Sequence, residues 1–195
     1  MKPLSAPSPR AAVPWVTLAV AWLALAVFAS RGLEGRLVFE RAAIRQGEWW
    51  RLWTGNWVHF SSSHLLWNLV VLVPAGIWVE RLAPARARFL LLLAPAVIGG
   101  AILVIEPALQ RYGGLSGVAA GVLALLAIEQ LARGAADRWF WWAVLVLLAA
   151  KIVGEMVAGH ALFAQFNDLV LRTVPLAHVA GVVSALAVHF GVRRI

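Results

Sequence analysis

Three groups of polar side chains in this chain have the types and spacings that acyl transfer needs. They are Ser116 in Gly113-Gly114-Leu115-Ser116-Gly117, His178 in Ala177-His178-Val179-Ala180-Gly181, and His64 with Asn68 four residues on. A serine hydroxyl is a weak nucleophile until an adjacent base takes its proton, and histidine suits that task near neutral pH. Ser116 therefore reads as the nucleophile and His178 as its general base. The glycines ahead of Ser116 permit a tight loop, and the helix it opens turns backbone N–H groups toward developing negative charge. His64 and Asn68 fall on one helix face, so both can donate hydrogen bonds to an oxyanion beside the Ser116 N–H. Such a donor is worth about 3 kcal/mol in the transition state.

Each group stands at the start of an apolar stretch. Of 195 residues 62% are hydrophobic and eleven are Trp, and the mean hydropathy is +0.82, a composition foreign to a water-soluble domain of this size. Six stretches, at residues 13–29, 64–82, 89–105, 116–131, 139–157 and 175–192, are long enough, or nearly so, to cross a bilayer as helices. The fold class expected is an all-α membrane protein, one domain over residues 1–195 with six transmembrane helices. The run from Met1 to Ser30 has the charge order of a signal peptide, with Lys2 and Arg10 before an apolar core. That core, residues 13–29, is long for a signal, so it reads as a retained first span.

Charge gives the orientation. With a cytosolic amino terminus, Arg81, Arg86, Arg88, Arg133, Arg138, Arg193 and Arg194 all fall inside, as the positive-inside rule requires, and the carboxyl terminus is cytosolic too. The first external loop runs against the rule, holding Arg31, Arg36, Arg41, Arg45 and Arg51 against Glu34, Glu40 and Glu48. It also carries Trp49, Trp50, Trp53, Trp57 and Phe60, aromatics suited to an element partly immersed in the membrane interface. The net charge of +8 belongs to these short clusters, which face lipid headgroups, so the bilayer is the expected partner and nucleic acid is not. The chain has no Cys, which excludes disulfides, thiolate zinc sites and iron–sulfur clusters. His59 and His64, five apart, do not share a helix face, and no His-Glu-x-x-His run exists, so neither metal nor other cofactor is expected.

On this orientation the second, fourth and sixth spans all begin outside. At about 1.5 Å per residue, Ser116 lies about 26 Å above Arg133, His64 about 26 Å above Arg81 and His178 about 22 Å above Arg193. One common level, sunk below the external surface of a core about 30 Å thick, implies a hydrated pocket. Taken singly, Gly-Leu-Ser-Gly is more often helix packing, and one intramembrane His or Asn more often interhelical glue. Their coincidence at one depth favours a site. Gly117 and Gly121 on the fourth span, and Ala177, Gly181 and Ser184 on the sixth, form thin faces that allow close backbone approach. Lys151 and Glu155, one turn apart on the fifth span, have two readings: a self-neutralising ion pair that pins the span, or a border of substrate access at which Glu155 orients a polar group. His160 and His189 read as bystanders.

These strings resemble the rhomboid family of intramembrane serine proteases through most of the chain. The resemblance is carried by Trp50-Arg51 and Thr54, His59-x4-His64-x3-Asn68, Gly76 and Glu80, Gly114-Leu115-Ser116-Gly117, and Ala177-His178-x2-Gly181. It implies a six-helix rhomboid-like bundle, a Ser116–His178 dyad without a third acid, an oxyanion site using His64, Asn68 and the Ser116 backbone, and an outward-opening aqueous cavity. The short chain and Lys151-x3-Glu155-x3-Gly159 resemble the rhombosortase branch. That branch implies membrane-anchored protein substrates bearing a carboxyl-terminal Gly-Gly motif, one apolar helix and a basic tail (GlyGly-CTERM), cleaved at a bacterial inner membrane. Two other classes compete: an inactive relative that binds membrane clients, which loss of Ser116 or His178 would favour, and a small transporter, which repeat symmetry and pathway carboxylates would favour.

Overall fold

The computed structural model describes residues 13–30, 32–158 and 174–192. Lys2, Arg10, Arg31, Gly159, His160, Arg193 and Arg194 lie outside them. Apolar runs without turn residues become helices, and the chain is mostly helical: α1 (Trp15–Ala29), a loop holding α2 (Leu33–Leu37), β1 (Phe39–Glu40), α3 (Arg41–Arg45), α4 (Arg51–Thr54) and a 3-10 turn (Gly55–Trp57), then α5 (Ser62–Leu82), α6 (Pro84–Ile105), β2 (Arg111–Tyr112), α7 (Ser116–Ala132), α8 (Arg138–Ala158) and α9 (Pro175–Gly191). Among the described residues three helices, α5, α6 and α8, are long and apolar enough to cross a membrane, and α1, α7 and α9 are shorter apolar helices. The largest departure from the sequence reading is α6. It starts at Pro84, five residues before the expected residue 89, because proline is preorganised for the first helical position.

That early start draws Arg86 and Arg88 out of the expected loop and into polar contacts with neighbouring helices. Arg86 meets Glu129 of α7 and donates to the Val192 carbonyl, while Arg88 Nε lies 2.9 Å from Glu80 Oε1. Glu80 also accepts the backbone N–H groups of Val16 and Thr17 and the Thr17 hydroxyl, at 3.3, 2.9 and 2.8 Å. The first turn of α1 has no side-chain cap of its own, so a carboxylate from α5 supplies one across the bundle. His189, expected to be a bystander, has Nδ1 2.7 Å from Glu129 Oε1.

Helix α7 is the centre. It packs against α5, α6, α8 and α9 and buries most of its length, its Gly and Ala residues letting neighbours approach closely. By contrast α8 buries only Trp141, Leu148, Ile152 and Glu155, one narrow stripe, and leaves Val146, Leu147, Val153 and Val157 exposed.

The first loop lies along α6. Arg41 donates to the carbonyls of Ile102, Leu103, Glu106 and Leu109 and so caps the carboxyl end of that helix. Trp53 Nε1 donates to the Leu92 carbonyl, and Gly99 lets the Leu52 backbone sit directly on α6. From Leu92 to Ile105 is about 20 Å of helix, so the loop follows the bundle's flank well below its end. Strand β1 pairs antiparallel with β2, Phe39 opposite Tyr112 and Glu40 opposite Arg111. The loop is thereby tied to the segment that leads into Ser116.

Candidate active site

Ser116 is the first residue of α7, and three hydrogen bonds set the approach to it. The Gly114 N–H donates to the Gly55 carbonyl at 3.3 Å, Tyr112 donates to the Gly114 carbonyl at 3.1 Å, and the Leu115 N–H donates to His59 Nε2 at 3.3 Å. Burial raises the Tyr112 phenol above its ordinary range, so it remains a donor. Gly114 has φ +130°, and a Cβ there would stand 2.5 Å from His64 Cε1 and 2.7 Å from Nε2. The loop therefore requires glycine twice over, for its backbone and for the imidazole lying on it.

His59 proves to be a structural element of this loop. Its Nδ1 lies 3.1 Å from the Trp57 carbonyl and its Nε2 accepts from Leu115, an arrangement that only the neutral ring with a proton on Nδ1 can satisfy. Burial, then repulsion from His64, pushes its pKa down to about 3 against the opposing bond to Trp57. The rings of His59 and His64 meet edge to face at 4.9 Å. Trp50 and Arg51 act further out in the same loop: Trp50 Nε1 donates to the Arg36 carbonyl, while Arg51 donates to Glu48 Oε2 at 2.6 Å and to the carbonyls of Gly35 and Val38.

His64 and Asn68 are buried on one face of α5, and Ser61 caps the helix by accepting the His64 N–H at 3.1 Å. Asn68 Nδ2 is buried with no hydrogen-bond partner among the described residues. A buried amide donor without a partner costs about 1 to 3 kcal/mol, so it stands ready for an acceptor.

His178 lies in the first turn of α9, and the contact that brings α9 to α7 is backbone on backbone. A Cβ on Gly117 would meet the Ala177 carbonyl at 2.6 Å, one on Gly121 would meet the Gly181 carbonyl at 2.6 Å, and one on Gly181 would overlap the Gly117 carbonyl. The residue after Ser116 thus touches the residue before His178. Ser116 and His178 stand at the same end of two helices in contact, although no hydrogen bond joins the two side chains among the described residues.

Lys151 and Glu155 form the ion pair, Lys151 Nζ donating to Glu155 Oε1 at 2.8 Å. The second carboxylate oxygen, Oε2, faces His178 Nδ1 at 3.0 Å. That distance is an ion-pair distance, and neither atom has a hydrogen-bond partner among the described residues. The resemblance implies a dyad without an acid, whereas this structure sets a carboxylate beside the histidine. At about 1.5 Å per residue Glu155 lies about 26 Å above Arg138, level with Ser116, and the rotation of α8, fixed by its narrow buried stripe, aims it at α9.

No cluster of three or more His, Cys, Asp or Glu residues that could hold a metal occurs among the described residues. In comparison with known proteins, the family model of the rhomboid domain matches residues 46–195. The rhomboid protease GluP of Bacillus subtilis (strain 168) is 38% identical over 87 residues, which make up 45% of this chain and 17% of that protein. The chain therefore matches only about a sixth of that relative's length.

Proposed function

The chain belongs to the rhomboid family, and from that premise we propose that it is an intramembrane serine endopeptidase of six transmembrane helices acting on membrane-anchored proteins. One observation supports this above the others: the Gly117–Ala177 and Gly121–Gly181 crossings, which carry Ser116 and His178 at one end of two touching helices. In this reading Ser116 Oγ attacks the scissile carbonyl carbon while His178 takes the hydroxyl proton. The oxyanion that forms is held by the Ser116 N–H, His64 and Asn68, the last supplying the buried amide. His178 then returns the proton to the leaving amine, and water, deprotonated by His178, releases the acyl group from Ser116. No cofactor enters any step.

The substrate class we propose is the GlyGly-CTERM type, at a bacterial inner membrane with both termini cytosolic; its support is the rhombosortase-like pattern at Lys151 and Glu155. A fluorophosphonate probe tests the chemistry. Wild-type protein should be labelled at Ser116, and Ser116→Ala and His178→Ala should each lose labelling and cleavage of a helical membrane substrate while remaining inserted. Wild-type proteolysis by Ser116→Ala in liposomes would remove the enzyme reading. Substrate class is tested separately, by cleavage of a reporter bearing the Gly-Gly motif, apolar helix and basic tail against one with the Gly-Gly pair replaced.

A further inference from the structure

We propose that Glu155 is a positioning residue for His178, with Lys151 holding the carboxylate in place; the idea rests on the protease reading above. The two facing atoms, Glu155 Oε2 and His178 Nδ1, are 3.0 Å apart with no hydrogen-bond partner among the described residues, and the side chains of both residues are almost fully buried, at 3% and 6% exposure. A neutral imidazole carries one proton, and its position is set by the partner of the ring. A carboxylate can only accept, so the proton belongs on Nδ1, leaving Nε2 as the basic atom for the Ser116 hydroxyl. The same carboxylate stabilises the imidazolium formed when Ser116 gives up its proton, and the proton stays on His178 throughout. The other oxygen, Oε1, is taken by Lys151, whose side chain is 28% exposed and reaches from one turn earlier on α8. Three helices thus surround His178: α7 carrying Ser116, α5 carrying His64, and α8 carrying Glu155, which Lys151 holds from one turn earlier.

A pair that merely neutralises itself makes different demands. It requires matched charge on α8 and nothing of the geometry at His178. Substrate recognition by Glu155 would act on protein substrates and leave a small probe indifferent.

The experiment uses the full chain in liposomes, with four variants: Ser116→Ala, Glu155→Gln, Glu155→Asp, and Lys151→Met with Glu155→Gln, which removes both charges at once. Thermal midpoints identify the folded ones. Positioning predicts that Glu155→Gln lowers both the fluorophosphonate labelling rate and kcat by about 100-fold or more with KM little changed, as for loss of an orienting acid. It predicts that the double neutral variant is equally slow, and that Glu155→Asp recovers part of the rate. Labelling at the wild-type rate in either folded Gln variant overturns the proposal, as does recovery of activity in the double variant, which would mark charge matching as the whole role. Failure of both Gln variants to fold would overturn it too, by making the pair framework. Persistent cleavage by Ser116→Ala would instead defeat the protease reading beneath it.

Discussion

At the scale of single residues, the proposed mechanism divides the residues around Ser116 into oxyanion donors and side chains that hold the loop. His64→Ala and Asn68→Ala should each reduce turnover by about 10- to 1,000-fold without abolishing labelling of Ser116, because a backbone N–H remains to share the oxyanion. Unchanged turnover in a folded double variant would place the oxyanion elsewhere. His59 belongs to the second kind, and its pKa of about 3 has a consequence for stability. The unfolded chain takes up a proton on His59 as pH falls below about 6.5, while the folded chain resists until about pH 3. The unfolded state then binds more protons, so the contribution of His59 is complete above pH 6.5 and declines as pH falls toward 3. Unfolding midpoints measured from pH 7 to pH 4 should fall, and His59→Asn, which cannot titrate, should flatten the profile. An equally steep fall in that variant would assign the effect to other groups.

At the scale of elements, the α7–α9 crossing is the critical joint. Gly181→Ala drives a methyl group into the Gly117 carbonyl, and backbone there can yield only by separating the helices. Overpacking of this kind costs about 1 to 3 kcal/mol, and a displacement of about 1 Å at a catalytic pair costs about 100-fold in rate. Cleavage should therefore fall about 100-fold while the thermal midpoint drops only modestly; full activity would show that the crossing does not set the Ser116–His178 geometry. This joint was legible in the sequence, because small residues at four-residue spacing on two apolar segments have one common use. The apolar helices were legible as well, ending within about two residues of expectation except at Pro84. What sequence could not supply was rotation about helix axes. Sequence spacing pairs Glu155 with Lys151 but does not set it against His178, and it does not set Glu129 between Arg86 and His189, since partners on different helices depend on which stripe each helix buries. The first loop was legible in composition only. Its arginines look like a violation of charge asymmetry until Arg41 is seen sealing the end of α6 and Arg51 bonded within the loop.

At the scale of the whole molecule, those arginines decide how the chain sits across the membrane. Arg41 and Arg51 are buried, so they contribute little to the surface charge that orients insertion, and the first loop carries less free positive charge than its composition indicates. Arg133 and Arg138, by contrast, flank an exposed turn between α7 and α8. The bundle is also polar at both ends in different ways: Glu80, Glu129 and their arginines lie at the end where α5 and α7 finish, while His59, His64, Ser116, His178 and Glu155 lie at the end where α5, α7 and α9 begin. In the proposed orientation, charge asymmetry puts the first end in the cytosol and the end bearing Ser116 outside. The chain contains no Cys, so single cysteines report this without background. In intact cells an impermeant thiol reagent should modify Arg36→Cys, in the exposed part of the first loop, and spare Ala136→Cys, in the α7–α8 turn, until the membrane is permeabilised. The opposite pattern would invert the orientation and turn the catalytic end, with any substrate it cuts, toward the cytosol.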